Sequence, residues 1–341
     1  MGAATFRTLL PTRVAAPVDL RSAPAFRLIA LQAALIIAML FLTGFGYDGR
    51  DINTVTALVA IAVGIGFYLR WRGFARLATA IEASMAVLAS SVTVACLSLL
   101  VATLPIPLAD PMLAAADRLL FPFLSWRDMA LSLAQYHDLV RVMCAIYSTL
   151  LWQPFVLVGA LALTGREGAA WRFVHAWLLT LLICTTIFAI APALTPYVHY
   201  GITPADVPAL TVNAGWRPAE IIRHIRDGSI HTLSSSTMSG LITFPSFHSA
   251  GAVLLAWGYR RLPLIGWAFV ALNVAMLVTI PFVGSHYFVD VLGGVGVAIL
   301  AITMTRQDQY ARATANSTAS VIASRALPAA KPAIESIARW P

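Results

Sequence analysis

The chain has 341 residues, 59% hydrophobic and only 11% charged, against roughly 25% charged in an ordinary soluble domain. Its formal charge of +8 would suit a nucleic-acid protein only if the basic residues gathered on one soluble face. They lie between apolar runs instead, which excludes a nucleic-acid partner and predicts an all-α, polytopic transmembrane helix bundle.

The first apolar run, 28–46, follows Arg7, Arg13, Arg21 and Arg27 and precedes no small-residue cleavage site, so it is expected to be a retained span rather than a signal peptide. Further runs at 54–69, 77–104, 139–163, 173–194, 250–259, 264–283 and 287–304 bring the expected crossings to about eight. The run at 250–259 reaches crossing length only if its helix starts near Phe244, with Ser246 and His248 in the first turn. Alternate connections hold 16 and 7 of the 23 basic residues. Because basic residues concentrate on the cytoplasmic side, both termini are expected inside.

Two outer connections are long. Residues 105–138 include ADPMLAAADRLLFPFLSW, with apolar residues at helical spacing beside Asp110, Asp117 and Arg118, as in an amphipathic helix lying in the interface. Residues 195–243 mix Pro, Gly, Ser and charge, including WRPAEIIRHIRDG, and loops of this length are usually functional or disordered. The tail 306–341, rich in Ala, Ser, Thr and Pro, is expected to be disordered. Cys96, Cys144 and Cys184 fall in apolar runs without metal-type spacing and are expected to be inert packing residues.

Two segments stand apart from this background: FPSFHS at 244–249 and GSHYFVDVLGG at 284–294. The sixth span would run inward from His248, turn at Arg260 and Arg261, and return as the seventh, so that His286 emerges beside His248. Asp290 lies four residues after His286, which on a helix puts both on one face. A carboxylate there can hold one ring nitrogen and free the other as a base or nucleophile. Ser246 is a candidate N-cap, and a helix start with free N–H groups is a ready phosphate site. The other membrane histidines, His137, His175, His199, His224 and His231, are expected to be packing or interfacial residues. Glu82 is expected to be an interfacial carboxylate, Asn273 an interhelical hydrogen-bonding residue, and Gly293, Gly294 and Gly296 a close-packing surface.

These motifs resemble the second and third motifs of the type 2 phosphatidic acid phosphatase superfamily, in particular its inositolphosphotransferase and inositol phosphorylceramide synthase-like branch. Weaker similarities lie in PLADPMLAAADRLL, in Tyr147 and Gln153 of YSTLLWQ, and in IRDG before the second motif. The resemblance implies that His286 attacks phosphorus, Asp290 orients it and His248 protonates the leaving group, with no metal and no other cofactor. The family glycine before the second-motif histidine is here Phe247, the arginine six residues before the third-motif histidine is Ile280, and the lysine seven residues before Arg217-Pro218 is Leu210. Phosphate binding is therefore assigned to Ser246, Phe247 and Arg226, with Arg217 and Arg223 as weaker candidates.

The expected organisation is a cytoplasmic segment 1–27, three transmembrane helices in 28–104, a catalytic membrane domain in 105–305 and a cytoplasmic tail 306–341. The expected function is a phosphatase of the bacterial inner membrane, its site on the extracytoplasmic side, hydrolysing a lipid phosphate or polyprenyl diphosphate through a phosphohistidine. Its partners would be that lipid-like substrate and the surrounding membrane lipids. The alternative is a phosphotransferase moving an inositol phosphate-like head group onto a lipid hydroxyl, with an acceptor alcohol as further partner. A non-enzymatic transporter would need charged or broken helices in related halves of the chain, and the sequence offers neither.

Overall fold

The computed structural model describes residues 19–212 and 214–306. Most of the expected N-terminal segment and nearly all of the expected tail lie outside the described residues. Contacts divide the chain after Ile302, and the unit up to that residue carries the features of interest. The one strand pairing among the described residues is parallel, joining Gly46–Tyr47 to Thr232–Leu233; otherwise the regular structure is helical.

Helices α1 (Ala23–Thr43), α2 (Arg50–Trp71) and α3 (Ala75–Val101) form the N-terminal part. With α8 (Glu167–Ile190), α3 makes the centre: about half of each is buried, against 11% for α1 and α2, whose apolar sides face outward. Polar contacts fasten the outer helices to α3. Gln32 Oε1 accepts from Ser90 and Thr93 at 3.0 and 2.8 Å. Arg70 binds Glu82 at 2.6 Å and Thr79 at 3.0 Å. Glu82 is fully buried, and the guanidinium beside it neutralises a charge that would be expensive inside a membrane.

The fourth expected crossing is broken. α6 (His137–Ser148), a 3-10 turn at Thr149–Leu151 and α7 (Gln153–Leu163) bend by 49°. Pro154 causes the break, since its ring would clash with the carbonyl of Leu150 and it offers no N–H. Asn273 donates to Gln153 Oε1 at 2.7 Å and Tyr259 to the Gln153 carbonyl at 2.9 Å, pinning the bend in the core. A broken helix, absent from the sequence expectation, is therefore present.

Among the described residues, six helices are long and apolar enough to cross a membrane, and the bent pair makes a seventh if taken as one span. The sixth expected crossing is α11 (Phe247–Tyr259), whose 13 residues reach about 20 Å, short of a hydrocarbon core of about 30 Å. It packs against α12 (Ile265–Val283), α8 and α7. The last helix, α13, runs Phe288–Arg306. Around the site lie α4 (Asp110–Leu120), α5 (Trp126–Ala134), the short α9 (Pro196–His199) and α10 (Arg217–Arg226).

Candidate active site

Ser246 has extended backbone, and its Oγ accepts the Ser249 N–H at 3.3 Å as an N-cap. This starts α11 at Phe247 and leaves His248 in the first turn, where backbone N–H groups lack intrahelical acceptors and the dipole is positive. α13 then comes against this turn: the Ser246 N–H donates to the Asp290 carbonyl at 3.0 Å. A Cβ on Gly294 would sit 2.9 Å from the Ser249 Cβ and closer still to the Ser246 carbonyl oxygen. Only glycine lets the two motif-bearing helices approach this far. Gly296 faces open space and has no such role.

His286 and Asp290 are paired, but not on one helical face. α13 begins only at Phe288, and His286 precedes it, after Ser285 in the left-handed region at φ 55°. Asp290 reaches back over the helix start: one carboxylate oxygen, Oδ2, accepts the Tyr287 N–H at 2.9 Å and lies 3.3 Å from His286 Nδ1. This is half of a capping box, with the imidazole as additional partner. Both side chains are buried, at 4% and 1% exposure, so little solvent competes for the pair.

His248 and His286 line one cavity of about 280 Å³, together with Tyr147, Arg217, Gly240 and Thr243. Tyr147 stacks on the His248 ring at 4.0 Å, its hydroxyl 3.1 Å from Nδ1. With Nδ1 of each imidazole engaged, by Asp290 on one and Tyr147 on the other, Nε2 is the nitrogen left for a ligand. Ser246 is buried beneath the helix start. Phe247 turns away, its ring edge-on to Trp177 at 5.0 Å.

The arginines separate. Arg217, at the first position of α10, is on the cavity lining. Arg226 is not: its Nε donates to the Ala102 carbonyl at 3.4 Å, beyond the end of α3. The two occupy opposite ends of α10, ~13 Å apart along its axis, and of the two only Arg217 lines the cavity. Arg223 is exposed and also absent from the lining. Ile280, where the resembled motif has arginine, is buried in the apolar core.

The segment that carries His286 is fastened by α4 and α5. Both oxygens of Asp117 on α4 are used, accepting the Phe288 and Val289 N–H groups at 2.9 and 2.8 Å at the start of α13. Asp110 accepts from the Tyr287 hydroxyl at 3.1 Å and the Leu194 N–H at 2.8 Å. Trp126 on α5 donates to the His286 carbonyl at 2.9 Å. Burial pushes both Asp carboxyls up from the ordinary carboxylate range, while these donors pull them back. Asp117→Ala would orphan two buried N–H groups, a loss of roughly 1–3 kcal/mol for each. A lowered thermal midpoint together with reduced turnover is expected; an unchanged midpoint would contradict this account.

Two imidazoles, one braced by a carboxylate, thus share one cavity with an arginine in a helical protein with membrane-crossing helices. The chain belongs to the PAP2 superfamily, whose family model matches residues 111–304. Members are phosphatases or phosphotransferases, and membership points to phosphatase-type activity on phosphate esters. No curated protein and no solved structure matches the chain.

Proposed function

We propose that this protein is a membrane phosphatase that hydrolyses a lipid-borne phosphate ester through a phosphohistidine at His286. The observation that carries the reading is the pair of imidazoles on one cavity, with Asp290 holding Nδ1 of the first. Nε2 of His286 attacks phosphorus as the P–O ester bond breaks, and His248 gives its proton to the departing oxygen. Water then attacks the P–N bond, His248 takes up the water's proton, and inorganic phosphate leaves. Arg217 and the positive starts of α10 and α11 supply stabilisation for charge on the phosphoryl oxygens. The arginine distribution supports a site on the extracytoplasmic side, and the reading takes the membrane to be a bacterial inner membrane.

Transfer to a lipid hydroxyl, as in the inositolphosphotransferase-like branch, uses the same first step. The observation in its favour is the apolar cavity beside His248, which has room for the chain of an acceptor alcohol. Incubating purified protein in detergent with a radiolabelled lipid phosphate, with and without long-chain alcohols, decides between them. Free phosphate alone is expected; label moving into the alcohol would replace hydrolysis by transfer.

Tyr147 positions His248. Removing its hydroxyl in Tyr147→Phe deletes one hydrogen bond, of about 1 kcal/mol, and should lower kcat about fivefold and shift the acidic or basic limb of the pH–rate profile. A fivefold loss with an unmoved profile would mean that the tyrosine only packs against the ring.

A further inference from the structure

His248 also borders a second cavity, of about 350 Å³, whose lining does not include Arg217 and whose size is within the range of ligand sites. It shares Gly240, Ile242 and His248 with the phosphate cavity. Its far wall is one face of α3, made by Val87, Ser91, Val94, Ala95 and Ser98, and the Phe247–Trp177 pair closes one side. The serines do not make this wall polar. Ser91 Oγ donates to the Val87 carbonyl and Ser98 Oγ to the Ala95 carbonyl, each at 2.8 Å, so both hydroxyls are satisfied within α3. This wall lies outside residues 111–304, the segment matched to the family.

We propose that this cavity seats the hydrocarbon of the leaving group, so that the substrate is an alkyl or prenyl monophosphate whose chain runs from His248 along α3. The proposal rests on the hydrolytic reading above. With phosphorus between His286 and the leaving oxygen, and that oxygen within reach of His248, the remainder of the leaving group must continue past His248, and the space there is apolar. An alcohol bearing a plain chain suits it. A diphosphate does not, because its leaving group carries a charged phosphate just past His248, where the residues shared by the two cavities, Gly240, Ile242 and His248, offer it no cationic side chain besides the imidazole that serves the leaving oxygen. Phe247, where the family motif has glycine, packs on Trp177 at one side of this cavity, and the α3 wall makes chain selection a property of the N-terminal helices.

The test uses butyl, hexyl and octyl phosphate with the purified full chain, where the tail moves from water into the protein. Burial of each methylene is worth up to about fourfold in kcat/KM, so a rise of at least tenfold from butyl to octyl is expected, with octyl diphosphate at least tenfold poorer than octyl phosphate. Ala95→Trp, which fills the cavity, should flatten the rise, whereas Val156→Trp on the outward side of α7 should leave it intact. Independently of turnover, an octylphosphonate carrying a terminal diazirine should crosslink within residues 87–98. An equal rise in Ala95→Trp, with label only on outward-facing residues, overturns the proposal. Label at 87–98 without hydrolysis of any monoester would instead sink the phosphatase reading and keep the cavity as a tail site.

Discussion

Replacing His286 by alanine is expected to abolish turnover, by at least about 10⁴-fold, because a nucleophile that works as a unit with its base and orienting carboxylate loses nearly all catalysis when removed alone. The phosphoenzyme provides the sharper measurement. Wild type, quenched in alkali during turnover of a labelled ester, should retain phosphorus on protein and release it in acid, as expected of a phosphoramidate, and His286→Ala should retain none. His248→Ala differs in kind. A general acid contributes about 10²–10⁴-fold, and its contribution shrinks when the leaving group needs no proton. With p-nitrophenyl phosphate, whose leaving group is a stable anion, His248→Ala should still form the phosphoenzyme while hydrolysing alkyl phosphates poorly. Labelled protein in His286→Ala, or none in His248→Ala with the activated ester, would reverse the assignment of the two histidines.

The convergence of the two motifs was legible in sequence because each motif leads into an apolar run and Arg260 and Arg261 mark the turn between them. The manner of pairing was not. Spacing of four suggests a shared helical face, but Asp117 takes the first two N–H groups of α13 and fixes the helix start after His286, so Asp290 meets the ring as a cap. Asp117 itself read as the polar side of an interfacial helix. Nothing local distinguishes a carboxylate facing water from one that caps a helix about 170 residues later in the chain. Trp126 was hidden for the same reason. Other signals were present and undervalued. Pro154 marks the break between α6 and α7 by its own chemistry, and a hydropathic run of ten residues could not cross a bilayer unless its helix extended further than Ser246 allows. The separation of Arg217 from Arg226 was implicit in their helical spacing, although only the tertiary structure could show which end of α10 meets the cavity.

That separation makes a large and testable difference. Arg217→Ala is expected to reduce kcat/KM for a phosphate ester by about 10²–10³-fold, the cost of removing one preorganised donor from developing negative charge. Arg226→Ala should change it only a few-fold, losing one hydrogen bond to the Ala102 carbonyl. The electrostatics favour this order. An arginine at the first turn of a helix opposes the helix dipole, so its position does nothing for α10 itself. Beside a phosphate, however, the guanidinium and the positive helix end act together, and Arg217 is held there by a donor contact to the Ser236 carbonyl at 3.3 Å. Arg217→Lys keeps the charge but not the planar fork that can grip two phosphate oxygens, and should recover only part of the loss. Inhibition by vanadate provides a second readout, since an anion resembling the pentacoordinate phosphoryl group needs the same cation: its inhibition constant should rise in Arg217→Ala and stay put in Arg226→Ala. If instead Arg226→Ala carries the larger loss in both measurements, the phosphate lies nearer the end of α3, and the cavity shared by His248 and His286 is not where the ester binds.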